Sequence, residues 1–334
     1  MPSSVGAVSA AGVDAPRAAF EAPVLGLDIG GTKIAAGVVD VDGVVHSFVV
    51  APTRAEEGPE AGLERLFDLG RRAVTESGLD GGAIEAVGIG SGGPLDATRG
   101  VLVAPPHLPG WRDVPVAALA AQAFQRPVTL ENDATAAAAG EHRWGAGAGV
   151  RNMVYLTIST GVGGGVIIDG SLYRGSRGNG GELGHVTVDW HGRVCRGCGR
   201  RGCLEAYVSG TSIAERAQEA GLADTSAEGV AAAARRGDPV ATTLWDETVE
   251  ALGCGITSIV NLFEPQLVVL GGGVSRSGEQ LIGPVRELVR ASAMRPAGEA
   301  ADVVASAYGE HVGVAGAAAI VYDRAGLGDV RPNG

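Results

Sequence analysis

The chain has 334 residues, 45% apolar and 19% charged, a length that allows two domains with separate cores. Its formal net charge of −12 leaves no basic footprint for gripping nucleic acid or an acidic membrane surface. No apolar run reaches the length of a membrane-crossing helix, and four cysteines, three of them bunched, make no disulfide framework; a reducing, cytoplasmic setting is expected.

Residues 1–22 are rich in Ala, Ser and Gly, carry no helical stripe and lack the charged start and apolar run of a secretory signal, so a disordered tail is expected. From Val24, VLGLDIG, IAAGVVD and VVHSFVV predict three strands joined by tight turns. A helix follows around Glu60–Ser77, then strands AIEAVGIG and GVLVAP, a helix around Val116–Phe124, the strand PVTLEN and the strong helix former DATAAAAGEH. The pattern then restarts with the strands NMVYLTIST and GVIIDG. Helices are expected near Thr211–Ala220, Ala227–Arg236 and Pro239 to about Phe263, with Cys254 a buried small apolar residue on the last. QLVVLGGG (strand), VRELVRASA (helix), DVVASAY (strand) and VGVAGAAAIVYDR (helix) close an α/β fold whose sheets are covered by helices.

LGLDIGGTKIAAGVV and YLTISTGVGGGVII share one design: an apolar strand enters a Gly/Thr turn and an apolar strand leaves. Each could be a plain hairpin, but exposed backbone N–H groups beside Thr hydroxyls also make a phosphate cradle. Asp28, in an apolar strand just before the first turn, reads either as a turn-capping residue or as a carboxylate facing Mg²⁺ beside phosphates. Glu131-Asn132-Asp133, where a strand meets an Ala-rich helix, fits an N-cap equally with a carboxylate placed to take a proton from an attacking hydroxyl. His185 with Cys195, Cys198 and Cys203 forms a Cys₃His set within 19 residues, a pattern for a closed, structural Zn²⁺ site with no open position for an activated water.

Together these segments resemble the ROK family of sugar kinases and repressors, from about Val24 to Asp323. DIGGTK at 28–33 and STGVGGGV at 159–166 resemble its two phosphate motifs, END at 131–133 its catalytic strand end, GELGH at 181–185 with CGRRGCLE at 198–205 its sugar-and-zinc signature, and LGGGV at 270–274 its segment near adenosine. The resemblance implies a two-lobed, actin-like ATPase/hexokinase (ribonuclease H-like) α/β fold with a cleft. It implies a smaller lobe over 23–130, completed by a C-terminal helix at about 311–325, and a larger lobe over 131–310 with a zinc loop at 185–203. The implied activity is ATP-dependent phosphorylation of a hexose, most simply glucose to its 6-phosphate, by a homodimer or homotetramer. Asp133 would be the general base; Gly93, His107, Asn132, Glu182, His185 and Glu205 would meet the sugar. Gly30, Gly31, Thr32, Lys33, Thr160, Gly161, Gly163, Gly272 and Gly273 would hold ATP, with Asp28 near Mg²⁺. His185 would also bind structural zinc, with Cys195, Cys198 and Cys203.

The chain departs from the family pattern at three points. Cys195 and Cys198 are separated by two residues where the family has one, His107 stands where Asn is usual, and Gly92 where Pro is common. N-acetylmannosamine, N-acetylglucosamine, fructose and allose remain alternative substrates. A sugar-responsive regulator without kinase activity is the other reading. The stretch before DIGGTK has Arg17 as its sole basic residue and is too short for a helix-turn-helix domain, so a kinase is expected.

Overall fold

The computed structural model describes residues 21–325; of the expected tail, residues 1–20 lie outside that range. Twelve strands are present among the described residues: β1 Val24–Ile29, β2 Lys33–Val39, β3 Val49–Pro52, β4 Ala86–Ser91, β5 Leu95–Asp96, β6 Val101–Leu102, β7 Val128–Asn132, β8 Met153–Ile158, β9 Val162–Ile168, β10 Ser171–Tyr173, β11 Leu267–Gly271 and β12 Asp302–Ala305. They form two five-stranded sheets, ordered β3-β2-β1-β4-β7 and β10-β9-β8-β11-β12, and a small β5-β6 ribbon. The two large sheets repeat one topology. In each, an antiparallel hairpin supplies the first two strands and later segments add parallel strands on the far side. The α/β fold expected from the alternating pattern is therefore present.

β1 and β8 read as near-continuous apolar runs because helices cover both faces of their sheets. The first core gathers Leu25, Leu27, Ile89 and Leu130 with Leu63, Leu66 and Leu69 of the helix Gly58–Glu76. The second gathers Val154, Leu156, Ile158, Val268 and Leu270 with the helices Gly210–Glu219, Ala227–Arg235, Pro239–Phe263 and Glu279–Ser292.

The closing helix, Val312–Ala325, returns from the second sheet to lie on the first. Gly88 in β4 makes this approach feasible: a Cβ there would overlap the Ala317 carbonyl oxygen and fall 2.5 Å from its carbon. The same helix crosses the helix Asp133–Arg143 backbone against backbone. A Cβ on Gly140 would come within 2.9 Å of Gly316 N, and one on Gly316 within 2.5 Å of the Ala136 carbonyl. Across this junction the buried Glu131 of β7 pairs with Arg174 (2.7 Å), just beyond β10 of the other sheet.

Three expectations are corrected. The strand expected over VVHSFVV begins only at Val49, preceded by a single bridge between Val39 and Val45. Two backbone bonds persist there, His46 N–H to the Val38 carbonyl (2.8 Å) and Asp40 N–H to the Val44 carbonyl (3.1 Å), while side chains take other donors: Ser47 Oγ accepts from Val38 N–H (3.1 Å), and Asp40 Oδ1 accepts from Asp42 and Val44 N–H. GVLVAP pairs only over Val101–Leu102. Cys254 is exposed, because the buried stripe of its helix runs through Leu252, Gly253, Gly255 and Ile256 and leaves position 254 on the outer face. Among the described residues no helix is long and apolar enough to cross a membrane.

Candidate active site

Both glycine turns are the tips of hairpins that open their sheets. The first is closed by Gly30 N–H to the Lys33 carbonyl (3.0 Å), the second by Ser159 N–H to the Gly161 carbonyl (2.9 Å). Thr32, Lys33 and Thr160 are exposed on these turns, free to meet a ligand. Gly272 lies against the end of β8, where a Cβ would be 2.6 Å from the Ile158 carbonyl carbon; with Gly273 it follows β11 beside the second turn.

Asp133 occupies the junction of the two halves. It begins its helix directly after β7, and Asn132 Oδ1 caps that helix by accepting from Ala134 and Thr135 N–H (3.1 Å each). The capping role and the cleft position coexist, since the Asn132 amide nitrogen stays close to Gly93 (3.9 Å from a Cβ placed there). A Cβ on Gly90 would lie 3.7 Å from Asp133 Cα and 3.9 Å from Asp28 Oδ1, while one on Gly163 would touch Ala134 Cβ at 2.8 Å. The first turn thus approaches Asp133 through Asp28, and the second through Gly163.

The electrostatics are those of two carboxylates sharing a half-buried space. Burial and the neighbouring Asp133 push the Asp28 carboxyl from 3.8 up to about 7, with Lys33 acting in the opposite direction. Burial also raises the Asp133 carboxyl, opposed by the Ala134 N–H bond (2.8 Å) and by His107. Asp28 accepts no hydrogen bond from another described residue, and Lys33 is the cation that acts on it. Gly313, in the first turn of the closing helix, stands so near that a Cβ would fall 2.6 Å from the Asp28 carboxyl carbon; the positive end of that helix faces the acid.

Gly93, Asn132, Gly163 and Glu182 line one small cavity, together with Thr135 and the glycines at 178, 180 and 181. Glu182 reaches back to His185 Nε2 (4.0 Å), while His185 Nδ1 faces Cys195 Sγ (3.7 Å). The imidazole therefore presents one nitrogen to the cavity side and one to the cysteines.

The ligand atoms of His185, Cys195, Cys198 and Cys203 all lie within 4.8 Å of one another. Tetrahedral zinc, with bonds of about 2.3 Å to sulfur and about 2.0 Å to nitrogen, spaces its donors roughly 3.5–3.8 Å apart. The Cys198–Cys203 sulfur separation of 3.5 Å and the Cys195–His185 separation of 3.7 Å match, so the cluster fits zinc. The extra residue before Cys198 is absorbed in a tight loop, held by Cys195 N–H to the Arg200 carbonyl (2.7 Å) and Gly199 N–H to the Cys195 carbonyl (2.8 Å).

Glu205 ties two distant segments together. Its Oε2 accepts from Val162 N–H (3.0 Å) at the second turn, and its Oε1 from Cys195 Sγ (3.2 Å). It bridges the cysteine loop and the second hairpin, a link invisible in sequence because 43 residues separate its ends. The Glu131–Arg174 pair was also missed; the sequence signal for it is a carboxylate directly after the apolar Leu130, near the end of a strand.

Two sheets of one topology, a glycine turn from each, and a carboxylate between them define the two-lobed, actin-like sugar-kinase fold. The ROK family model matches residues 24–324, and the chain belongs to that family. A Thermotoga maritima glucokinase is 38% identical over 91% of this chain and 98% of its own length. Among solved structures, a ROK hexokinase from Thermus thermophilus superposes with a TM-score of 0.78 at 40% identity, covering 92% of this chain and 100% of the other. A ROK glucokinase from Streptomyces griseus, in complex with glucose and AMPPNP, gives 0.78 at 35% identity over 89% and 98% of the two chains.

Proposed function

We propose that the protein transfers the terminal phosphoryl group of ATP to a hexose, glucose first, with Asp133 as general base and the two lobes closing over the substrates. The observation that carries this reading is the Asp133 carboxylate at the end of β7, where both glycine turns converge and burial raises its proton affinity. A base with a raised pKa is matched to accepting a hydroxyl proton near neutrality. The sugar oxygen forms its bond to the γ-phosphorus as its proton passes to Asp133. The bond from that phosphorus to the bridging oxygen breaks, and ADP leaves with the electron pair.

The other roles follow the cleft. Gly30, Gly31, Thr32, Thr160, Gly161 and Gly163 would hold the phosphates, Lys33 would neutralise part of their charge, and Gly272 and Gly273 would flank the adenosine. Asp28, a carboxylate that accepts no hydrogen bond from another described residue, would hold Mg²⁺, which when bound offsets phosphate charge. Gly93, Asn132 and Glu182 would meet the sugar from the cavity they line, with His185 beside them through Nε2. Zinc on His185 Nδ1 and the three thiolates would fix that imidazole in one orientation. With Cys195 engaged as thiolate, Glu205 Oε1 loses its thiol donor and becomes available to a sugar hydroxyl. A lobe boundary near 131, with the closing helix completing the first lobe, and a dimeric or tetrameric state belong to the same reading.

The test is a coupled ADP-release assay across hexoses and N-acetylhexosamines, with Asp133→Asn alongside. Turnover highest with glucose and lost in the variant is expected; no turnover with any sugar, or near-normal turnover without the carboxylate, would refute it.

A further inference from the structure

One buried carboxylate bonds to both walls of the cavity lined by Gly93, Asn132 and Glu182. Glu131 is 1% exposed and stands beside Asn132 at the end of β7. Its Oε1 accepts from the Asn132 backbone N–H (3.2 Å), on the wall that leads into Asp133. Its Oε2 accepts from Arg174 Nε (2.7 Å), at the start of the loop that carries Glu182 on the other wall. That loop is pinched at its neck. The Arg174 carbonyl accepts from Gly180 N–H (2.9 Å), and a Cβ on Gly180 would fall 2.8 Å from both the Arg174 carbonyl carbon and Gly175 N. The far end is seated on β9, where a Cβ on Gly181 would lie 2.8 Å from the Gly164 carbonyl oxygen. Residues 175–180 therefore project between two anchors, the Arg174 side chain on β7 and Gly181 on β9. From there Gly178, Asn179 and Gly180 line the cavity.

Stability does not account for this pair. Arg174 Nη2 is buried without a hydrogen-bond partner among the described residues, and a buried donor left unpaired costs about 1–3 kcal/mol. The guanidinium makes one bond to the carboxylate where a fork-to-fork pair would make two. A buried ion pair so incompletely bonded adds little over apolar side chains of its size, but it admits one register of loop against strand. Arg324 Nη2, on the closing helix, stands 3.9 Å from the same carboxylate, so Glu131 keeps a counter-charge if Arg174 is removed. We infer that Arg174 is a positioning residue for the sugar: through Glu131 it fixes the 175–182 loop against the end of β7, and so sets Glu182 opposite Asn132 across the cavity. The guanidinium acts through the loop and does not touch the sugar. Neither glycine turn shares a hydrogen bond with Arg174 or Glu131 among the described residues, so the nucleotide side lies outside this link.

This inference rests on the kinase reading for its ligand, and the experiment separates the two. Hydrogen exchange of the peptide 175–185, which holds the bonded Gly180 and His185 amides, is followed without ligands in the wild type and four variants. These are Arg174→Met, Arg174→Lys, Glu131→Gln and the double variant Arg174→Met/Glu131→Gln. Glucose affinity by calorimetry, kcat, the KM for ATP and thermal melting are measured on the same proteins. In Arg174→Met and Glu131→Gln the loop peptide should exchange about tenfold faster, with β1 and β8 unchanged. Glucose should bind about tenfold more weakly in both, equivalent to about 1.4 kcal/mol, with kcat and the KM for ATP within about threefold of wild type. The double variant should be no worse than either single one, because each loses the same link. Arg174→Lys should recover glucose affinity to within about threefold of wild type, because the native bond is single and one N–H suffices for it. Unchanged loop exchange, additive losses in the double variant, or a KM for ATP that rises as glucose affinity falls would overturn the inference. So would lower melting temperatures with glucose affinity intact, the mark of a merely structural pair. Loop exchange and glucose affinity behaving as expected in a protein that turns over no sugar would instead sink the kinase reading and leave the positioning role standing.

Discussion

Replacing Asp28 with Asn should make the ligand-free protein more stable at and above neutral pH while stopping turnover. Folding lifts this carboxyl from 3.8 to about 7, so the native state binds a proton that the unfolded chain releases. Stability drawn from Asp28 is therefore complete below about pH 4, declines as pH rises, and is gone above about pH 7. Three pKa units correspond to about 4 kcal/mol, and because the group is only half-buried at an open cleft, about 2 kcal/mol is the better expectation. For a chain of this size that is a rise in melting temperature of roughly 3 °C. Melting curves of wild type and Asp28→Asn at pH 4, 6 and 8 without nucleotide or divalent cation measure it directly. The advantage should be near zero at pH 4 and reach its plateau by pH 8. A constant difference across that range, or a less stable variant at pH 8, would refute the account of two carboxylates crowded into one half-buried space.

The remaining predictions concern separate parts of the molecule. Cys203→Ser should lower the zinc content of purified protein, read by elemental analysis, and cost roughly 10–100-fold in sugar kcat/KM as His185 loses its anchor. Gly88→Ala should drive β4 against the Ala317 carbonyl and destabilise the fold by about 3 kcal/mol, seen as a fall in melting temperature or in soluble yield. The acid limb of kcat/KM against pH should report a group titrating above the ordinary aspartate range, because Asp133 must be ionised to act and burial raises it. That limb should vanish together with activity in Asp133→Asn.

Much of this architecture was readable from local pattern. The two strand–turn–strand units stood out because a buried strand must be apolar throughout, and because glycine next to threonine at a hairpin tip is an unusual composition. The helix over 133–143 and the long helix from Pro239 were announced by Ala-rich sequence and an N-terminal Pro, which act within a few residues. What stayed hidden depends on contacts between distant segments. Ser47 replaces a strand acceptor only because β2 passes beside it; Glu205 meets Val162 only once the cysteine loop has folded back. Cys254 was misjudged because an apolar helix still has an outer face, and the phase of its stripe is set by what packs on it. The His107 ring fills the space a side chain at Gly92 would need, a contact that lies between two loops and has no signature in either one.

The crossing of the closing helix with the helix that begins at Asp133 carries a last consequence. At Gly140 and Gly316 the two backbones meet with almost no side chain between them. Long side chains interlock like gear teeth and resist turning, whereas this contact resembles a bare axle. On the proposed reading, in which the lobe boundary falls near 131, this bare contact is where one lobe would turn on the other. A methyl group added at either glycine would act as a wedge, changing the resting angle of the cleft before it changed any residue inside it.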